Sequence, residues 1–103
     1  MIDIEYSPLS LEDLQHHREY IVDNWGEPVD KKIIKKIISD IKNLEQYPLL
    51  GVSLASRIDV PTDYRYLFTE KNYVFYRLGQ DKIRIVRIIN EQEDYIIKLF
   101  GNK

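Results

Sequence analysis

Apolar and polar positions along this chain follow a helical period over most of the first half and a strand period over much of the second. Residues 2–6 (Ile-Asp-Ile-Glu-Tyr) come first and alternate apolar with acidic, the pattern of a half-buried strand. Ser7-Pro8-Leu9-Ser10 then stops the strand and opens a helix, with Ser10 and Asp13 at capping-box spacing and Pro8 where a helix start tolerates it. Leu11, Leu14, Ile21, Val22 and Trp25 recur at helical spacing, and Gly26 stands where a C-terminal cap is needed. A second helix is predicted from near Pro28. Ile33, Ile34, Ile37, Ile38, Ile41 and Leu44 form one stripe, flanked by Lys31, Lys32, Lys35, Lys36 and Lys42, and Pro48 ends it. Isoleucine mildly favours strands, but pairs recurring every four residues outweigh a propensity difference of roughly a few tenths of a kcal/mol.

Residues 48–63 read as a loop punctuated by Pro48, Gly51 and Pro61. Three strand-like runs follow, Tyr64–Thr69, Tyr73–Leu78 and Lys82–Ile89, separated by hairpin-length turns at Glu70-Lys71-Asn72 and Gly79-Gln80-Asp81. A last apolar piece, Tyr95 to Phe100, ends at Gly101. The link Gly26-Glu27-Pro28 is too short for anything but an antiparallel helical hairpin. The predicted fold is therefore α+β, in the order β-α-α-β-β-β with a short C-terminal element. The hairpin packs its Ile/Leu stripe on one face of an antiparallel sheet and leaves the other face for solvent or a partner. Residues 1–103 are expected to form a single domain, because a chain of this length supports one core.

A composition of 44% apolar and 31% charged residues fits a globular protein and excludes a disordered one. The absence of cysteine removes disulfides, thiolate nucleophiles and cysteine metal sites together, and fits a reducing compartment. The acidic start Met1-Ile2-Asp3-Ile4-Glu5 is unlike a secretory signal, and apolar stretches run only a few residues. A cytoplasmic protein with no membrane partner is expected. The net charge of −2 conceals a segregation. Residues 1–30 carry eight acids against Arg18 alone, residues 31–45 five lysines against Asp40 and Glu45, and residues 64–89 six bases against Glu70 and Asp81. Such a layout suits an anionic partner better than the total implies. The plainer reading is solvated outer faces, and it is the one adopted here for the lysines of the second helix.

His16 and His17 are adjacent, so on a helix they point about 100° apart and cannot share an ion; they read as helix-surface residues. No phosphate-binding glycine loop, Ser/His/Asp set or metal spacing occurs, and neither metal nor cofactor is expected. Tyr64, Tyr66, Tyr73 and Tyr76 lie on predicted strands, where aromatics are favoured, and at least two of them read as core. Arg65, Arg77 and Arg87 sit on neighbouring strands with Arg84 beside them. They form one basic patch if their registers align, and otherwise face outward singly or pair with the acids of residues 1–30.

Several phrases in this order resemble the RelE/ParE toxins. They are Tyr6-Ser7-Pro8-Leu9-Ser10-Leu11-Glu12-Asp13-Leu14 ahead of Tyr20-Ile21, Leu44-Glu45-Gln46-Tyr47-Pro48-Leu49-Leu50-Gly51, and Asp63-Tyr64-Arg65-Tyr66-Leu67. Tyr73-Val74-Phe75-Tyr76-Arg77, Ile83-Arg84-Ile85-Val86-Arg87-Ile88-Ile89 and the closing Asp94-Tyr95 through Leu99-Phe100-Gly101 complete the set. The resemblance implies a small cytoplasmic toxin held silent by a cognate antitoxin whose C-terminal segment wraps it. One branch of that family cleaves mRNA on the ribosome; the other poisons DNA gyrase.

Cleavage by a ribose 2′-OH needs a proton acceptor, cations for the phosphorane-like transition state and an acid for the leaving oxygen. The nuclease branch places a base just after the aromatic opening the middle strand of the meander, where this chain has Val74, and another in the turn after the last strand, where it has Asn90-Glu91-Gln92-Glu93. Valine stabilises no phosphate, and Glu91 with Glu93 repels one. Tyr95 matches the late catalytic tyrosine, and Arg65 a strand position that is often basic, so the catalytic set would be Tyr95, Arg65 and Arg77. The gyrase branch acts by binding, and the long hairpin of residues 9–47 resembles it more closely. Its usual basic motif after the last strand is likewise replaced by the acidic Asn90–Asp94 stretch. The leading expectation is a gyrase-binding toxin using Arg65, Arg77, Arg84 and Arg87. The alternatives are a ribosome-dependent endoribonuclease and a non-toxic homologue that keeps only the antitoxin interface.

Overall fold

The computed structural model describes residues 2–101. Strand β1 (Asp3–Tyr6) leads into helices α1 (Pro8–Trp25) and α2 (Glu27–Lys42). After a 3-10 turn at Asn43–Glu45 come β2 (Val52–Ser53), a second 3-10 turn at Leu54–Ser56, β3 (Arg65–Thr69), β4 (Asn72–Leu78), β5 (Lys82–Asn90) and α3 (Tyr95–Phe100). The α+β architecture is the expected one, with the helical hairpin on one side of the sheet. The sheet itself has five strands in the order β1-β5-β4-β3-β2 and is mixed, since β1 runs parallel to β5 while the other pairs are antiparallel. The stretch 48–63 is not pure loop, because β2 lines up with the start of β3.

Local chemistry explains the element ends. The N-cap of α1 is Ser7 and not Ser10: the Ser7 hydroxyl accepts from the Ser10 amide at 3.0 Å, and Pro8 occupies the first turn, where its fixed φ fits and its missing donor costs nothing. Ser10 is fully buried one turn inside and donates its hydroxyl to the Ser7 carbonyl at 2.7 Å. Gly26, at φ +89°, closes one helix and opens the next: its amide donates to the Val22 carbonyl and its carbonyl accepts from Asp30. A side chain there would be strained, so the hairpin depends on glycine. In α2, Ile37 and Ile41 are fully buried, as is Leu44 in the following 3-10 turn, while Ile38 points outward. The helix ends at Lys42, short of Pro48.

The β3–β4 turn holds only two residues, Glu70 and Lys71, both at positive φ (48° and 64°). Positive φ at both positions is the type I′ hairpin geometry that normally selects Asn-Gly. Two bonds hold it here: Asn72 Nδ2 donates to the Glu70 carbonyl, and the Glu91 amide to the Lys71 carbonyl.

Two cores sit on opposite sides of the sheet. On the helix side, Ile37, Ile41 and Leu44 meet Val74, Tyr76, Ile83, Ile85 and Ile88. On the far side, Leu54, Phe75 and Ile89 are overlaid by Tyr64, Tyr66, Tyr73, Tyr95, Leu99 and Phe100. The far side is thus partly covered by α3 and an aromatic cluster, not left bare. Of the four tyrosines expected on strands, Tyr64 falls just before β3 and only Tyr76 is fully buried; Tyr64, Tyr66 and Tyr73 are half-buried within that cluster. A register shift between Phe75 and Tyr76 leaves Val86 as an extra residue on β5. That bulge resets the alternation, which is why Ile85 and Ile88, three apart, face the same core.

Tyr76 also fixes the loop before β2. Its hydroxyl accepts from the Gly51 amide at 2.9 Å and donates to the Pro48 carbonyl at 3.0 Å. A Cβ on Gly51 would lie 2.5 Å from both the Tyr66 carbonyl oxygen and the Tyr76 hydroxyl, so only glycine fits. Gly51→Ala is expected to lower stability by about 1–3 kcal/mol through overpacking. Tyr76→Phe should cost about 1–3 kcal/mol through the partners it leaves unpaired. The two act on one contact, so urea unfolding of the double variant should give less than their sum. Full additivity would show that the loop is held some other way.

Candidate functional site

The four arginines do not gather into one patch. Directly paired residues share a face of the sheet. Arg65 pairs with Tyr76 and so lies on the helix side, where its Nη2 donates to the carbonyls of Leu49 (3.2 Å) and Gly51 (2.7 Å). Arg77 and Arg84 pair with each other, and Arg87 with Phe75, which places these three on the far side.

Each of the three meets an acid. Arg77 Nη2 donates to Asp63 Oδ2 at 2.9 Å, and its guanidinium sits 5.4 Å from the Tyr64 ring centre. The hydrogen bond from Arg77 holds the Asp63 carboxyl below the usual carboxylate range. Arg84 Nη1 donates to Glu5 Oε1 at 2.7 Å, with Lys82 Nζ 3.9 Å from the other oxygen. Arg87 is bidentate on Asp13, Nε to Oδ2 and Nη2 to Oδ1, both at 2.8 Å, and also reaches the Lys98 carbonyl. The hydrogen bond to Asp13 makes Arg87 harder still to deprotonate. Two of the three acids, Glu5 and Asp13, belong to residues 1–30, so that acidic segment compensates the charges of Arg84 and Arg87.

Asp13 has a second duty. The β1 ladder covers only Lys82–Ile85 of β5, and beyond it the outer edge of β5 would present unpaired backbone groups. Side chains from the start of α1 take over: Ser7 Oγ donates to the Val86 carbonyl at 2.8 Å, Asp13 Oδ2 accepts from the Ile88 amide at 2.9 Å, and His17 Nε2 donates to the Ile88 carbonyl at 3.2 Å. Asp13 and His17 are one helical turn apart, the spacing needed to bracket a single residue's donor and acceptor. His17 is therefore not a free helix-surface residue, whereas His16 is exposed. Nothing in the sequence pattern singled out this role, since Asp13 reads equally well as a capping acid.

Tyr95 opens α3 on the far side, its ring 5.2 Å from those of both Tyr73 and Phe75. Burial pushes its phenol above the ordinary value, and Tyr73 and Tyr66 act in the same direction. Tyr95 thus shares a face with Arg77 and lies across the sheet from Arg65. Val74 is fully buried in the helix-side core. The acidic stretch after β5 is an ordered connector: Glu93 pairs with Lys98 Nζ at 2.8 Å, and the Asp94 carboxylate accepts from the Ile97 amide as the N-cap of α3. Between α1 and this connector runs an open groove of about 620 Å³, whose lining includes His16, Tyr20, Trp25, Asn90, Glu91 and Lys98. Tyr20 and Trp25 meet edge-to-face with centres 5.7 Å apart and are 61% and 58% exposed, a pair of large apolar rings held toward solvent.

Residues 4–95 match the family described as "ParE toxin of type II toxin-antitoxin system, parDE". Among solved structures, the chain is similar to one from the chromosomal ParDE TA system of P. aeruginosa, with a TM-score of 0.74 and 23% identity over 87% of this chain and 96% of that one. It is also similar to chains of the YoeB-YefM complex from Staphylococcus aureus (TM-score 0.53, 20% identity, 86% and 95% covered) and of the E. coli DinJ-YafQ complex (0.50, 17%, 98% and 100%). At these identities the likeness is one of fold. No curated protein matches the sequence.

Two outcomes follow from the edge contacts and the aromatic face. Asp13→Asn leaves Arg87, whose side chain is only 15% exposed, without a charged partner. It should lower stability by about 2–4 kcal/mol, part of which Asp13→Asn with Arg87→Met regains. A loss under about 0.5 kcal/mol would deny Asp13 this role. For Tyr95, a folded-state value above the ordinary one means that its contribution to stability is whole below the ordinary tyrosine range and is lost as pH rises through the folded value. Tyr95→Phe should therefore flatten the alkaline decline in urea midpoint as pH rises above about 9. An unchanged decline would assign it to other groups, Tyr6 first, whose buried phenol is raised as well.

Proposed function

The chain belongs to the ParE toxins of type II toxin–antitoxin systems, and on that premise we propose that it acts by binding DNA gyrase and is kept silent by a cognate antitoxin. The observation that carries this reading is the dispersal of the groups that phosphodiester cleavage would need together. Arg65 binds loop carbonyls on the helix side, while Tyr95 and Arg77 lie on the far side with Arg77 neutralised by Asp63. The position after Tyr73 is a buried valine, and the connector after β5 presents Glu91. A site of this kind supplies no concentrated positive charge to a phosphorane. Acting by binding requires no such concentration.

The antitoxin half of the proposal is supported by exposed apolar surface. Leu9, Leu11, Tyr20 and Trp25 along α1 are each more than half exposed, as are Tyr47, Leu49 and Leu50 on the loop held by Tyr76 and Arg65. Apolar residues of this size exposed to solvent are what a helical or extended partner segment covers. The groove beside α1 adds a concave strip for it. Among the described residues no helix is long and apolar enough to cross a membrane.

A supercoiling assay tests the proposal. Purified chain added to gyrase and relaxed plasmid should block supercoiling, the antitoxin should restore it, and Tyr95→Phe should block as well as the parent. Normal supercoiling, together with ribosome-dependent mRNA cuts that disappear in Tyr95→Phe, would replace gyrase by the ribosome as target.

A further inference from the structure

Among the described residues, the cations with neither an ion pair nor a carbonyl site are Lys31, Lys32, Lys35, Lys42, Arg57 and Lys71. Four of these six lie on α2, and all four are exposed. The inward side of α2 carries Ile33, Ile34, Ile37 and Ile41, and its outward side carries five exposed lysines beside Glu27, Val29, Ile38 and Ser39. Lys36 and Asp40 neutralise each other at 2.8 Å, and Thr69 bonds the same carboxylate at 2.6 Å. Glu70 borders the face beside Lys32 and Lys35, and exposed Glu27 lies one turn before Lys31, but neither forms an ion pair there among the described residues. The arginines that the sequence offers as the anion-binding patch are occupied, and the free positive charge lies instead on this helix.

We propose that the outer face of α2 is a nucleic-acid contact surface, with Lys31, Lys32, Lys35 and Lys42 holding backbone phosphates without reading sequence. Lysine is a compact, mobile charge with no planar fork; it suits phosphate contacts and not bidentate base recognition. Lys31 to Lys42 spans roughly 17 Å of helix, enough to follow several phosphates along one strand. A protein partner fits the face poorly, because lysine is depleted at the centre of protein interfaces and Ile38 and Val29, each 37% exposed, are the apolar groups available. A membrane surface fits poorly too, since the apolar side of α2 that would enter lipid is already packed on the sheet.

The inference goes beyond the gyrase reading and does not rest on it, because it is measured on the purified chain alone. A fluorescein-labelled DNA duplex of about 20 base pairs and a single-stranded RNA of similar length are titrated by anisotropy at several salt concentrations. Binding should weaken with a log–log slope of about −0.9 per lysine engaged on duplex, near −3.6 for four, or on the order of 100-fold between 50 and 200 mM salt. Replacing all four lysines with Gln, a comparable helix former, should abolish binding at the lowest salt with the circular dichroism spectrum intact. Replacing them with Arg should retain binding. Arg57→Gln with Lys71→Gln should leave the slope unchanged. The proposal is overturned if the parent fails to bind either nucleic acid at low salt, if the Gln variant keeps the parent's slope, or if only phosphatidylserine vesicles capture the protein. Nucleic-acid binding with supercoiling left intact would remove gyrase as target and keep this surface.

Discussion

The attachment of α1 to the open edge of β5 organises the rest of the molecule. Half of β5 has a neighbouring strand on its outer side and half does not, and the unpaired half adjoins the point where the chain turns from β1 into α1. Ser7, Asp13 and His17 replace the missing ladder with side-chain bonds to Val86 and Ile88. Unpaired strand edges invite association with other chains, and buried unpaired amides are costly, so this substitution has to be nearly complete. Because Asp13 simultaneously grips Arg87 from the far side of the sheet, it joins helix, edge and opposite face at one carboxylate.

From that anchor the distribution of charge follows. The bulge at Val86 carries Arg87 to the face already holding Arg77 and Arg84, and the acids of the first segment and Asp63 then meet them. Exposed pairs such as Arg77 with Asp63 contribute little to stability. Their consequence is electrostatic: a face that looks basic in the sequence is close to neutral in the fold. Of the α2 lysines only Lys36 has such a partner, Asp40 on the same helix; Lys31, Lys32, Lys35 and Lys42 form no ion pair among the described residues.

The helices and meander were legible because their periodicities are strong: the isoleucine pairs of α2 and the β-rich runs of β3 to β5 sit where the pattern places them. The order and the side on which the hairpin packs were legible as well. Three things were not. The parallel pairing of β1 with β5 joins residues nearly eighty positions apart and leaves no local mark. The bulge at Val86 is invisible in a run where Ile, Val and Arg suit either face, yet it decides which arginines share a side. And capping signals are ambiguous at close spacing: Ser7 and Ser10 are both serines near a proline, and only the backbone direction makes Ser7 the cap.

The acidic stretch after β5 likewise has a structural role that its composition does not reveal. Judged by composition, Asn90–Asp94 seems to repel any anionic target. In the fold its charges are partly consumed locally, Asp94 capping α3 and Glu93 pairing with Lys98, and the connector serves to lay Tyr95, Leu99 and Phe100 over Phe75 and Ile89. A basic motif at this position could not cap α3 in the same way, since an N-cap needs an acceptor side chain and the helix N-terminus favours negative charge. The acids here therefore stabilise the cover of the far core, and positive charge for an anionic partner has to come from another element. In this chain that element is the helix on the opposite side of the sheet, where Lys31, Lys32, Lys35 and Lys42 stand outside the isoleucine stripe, exposed and without ion pairs among the described residues.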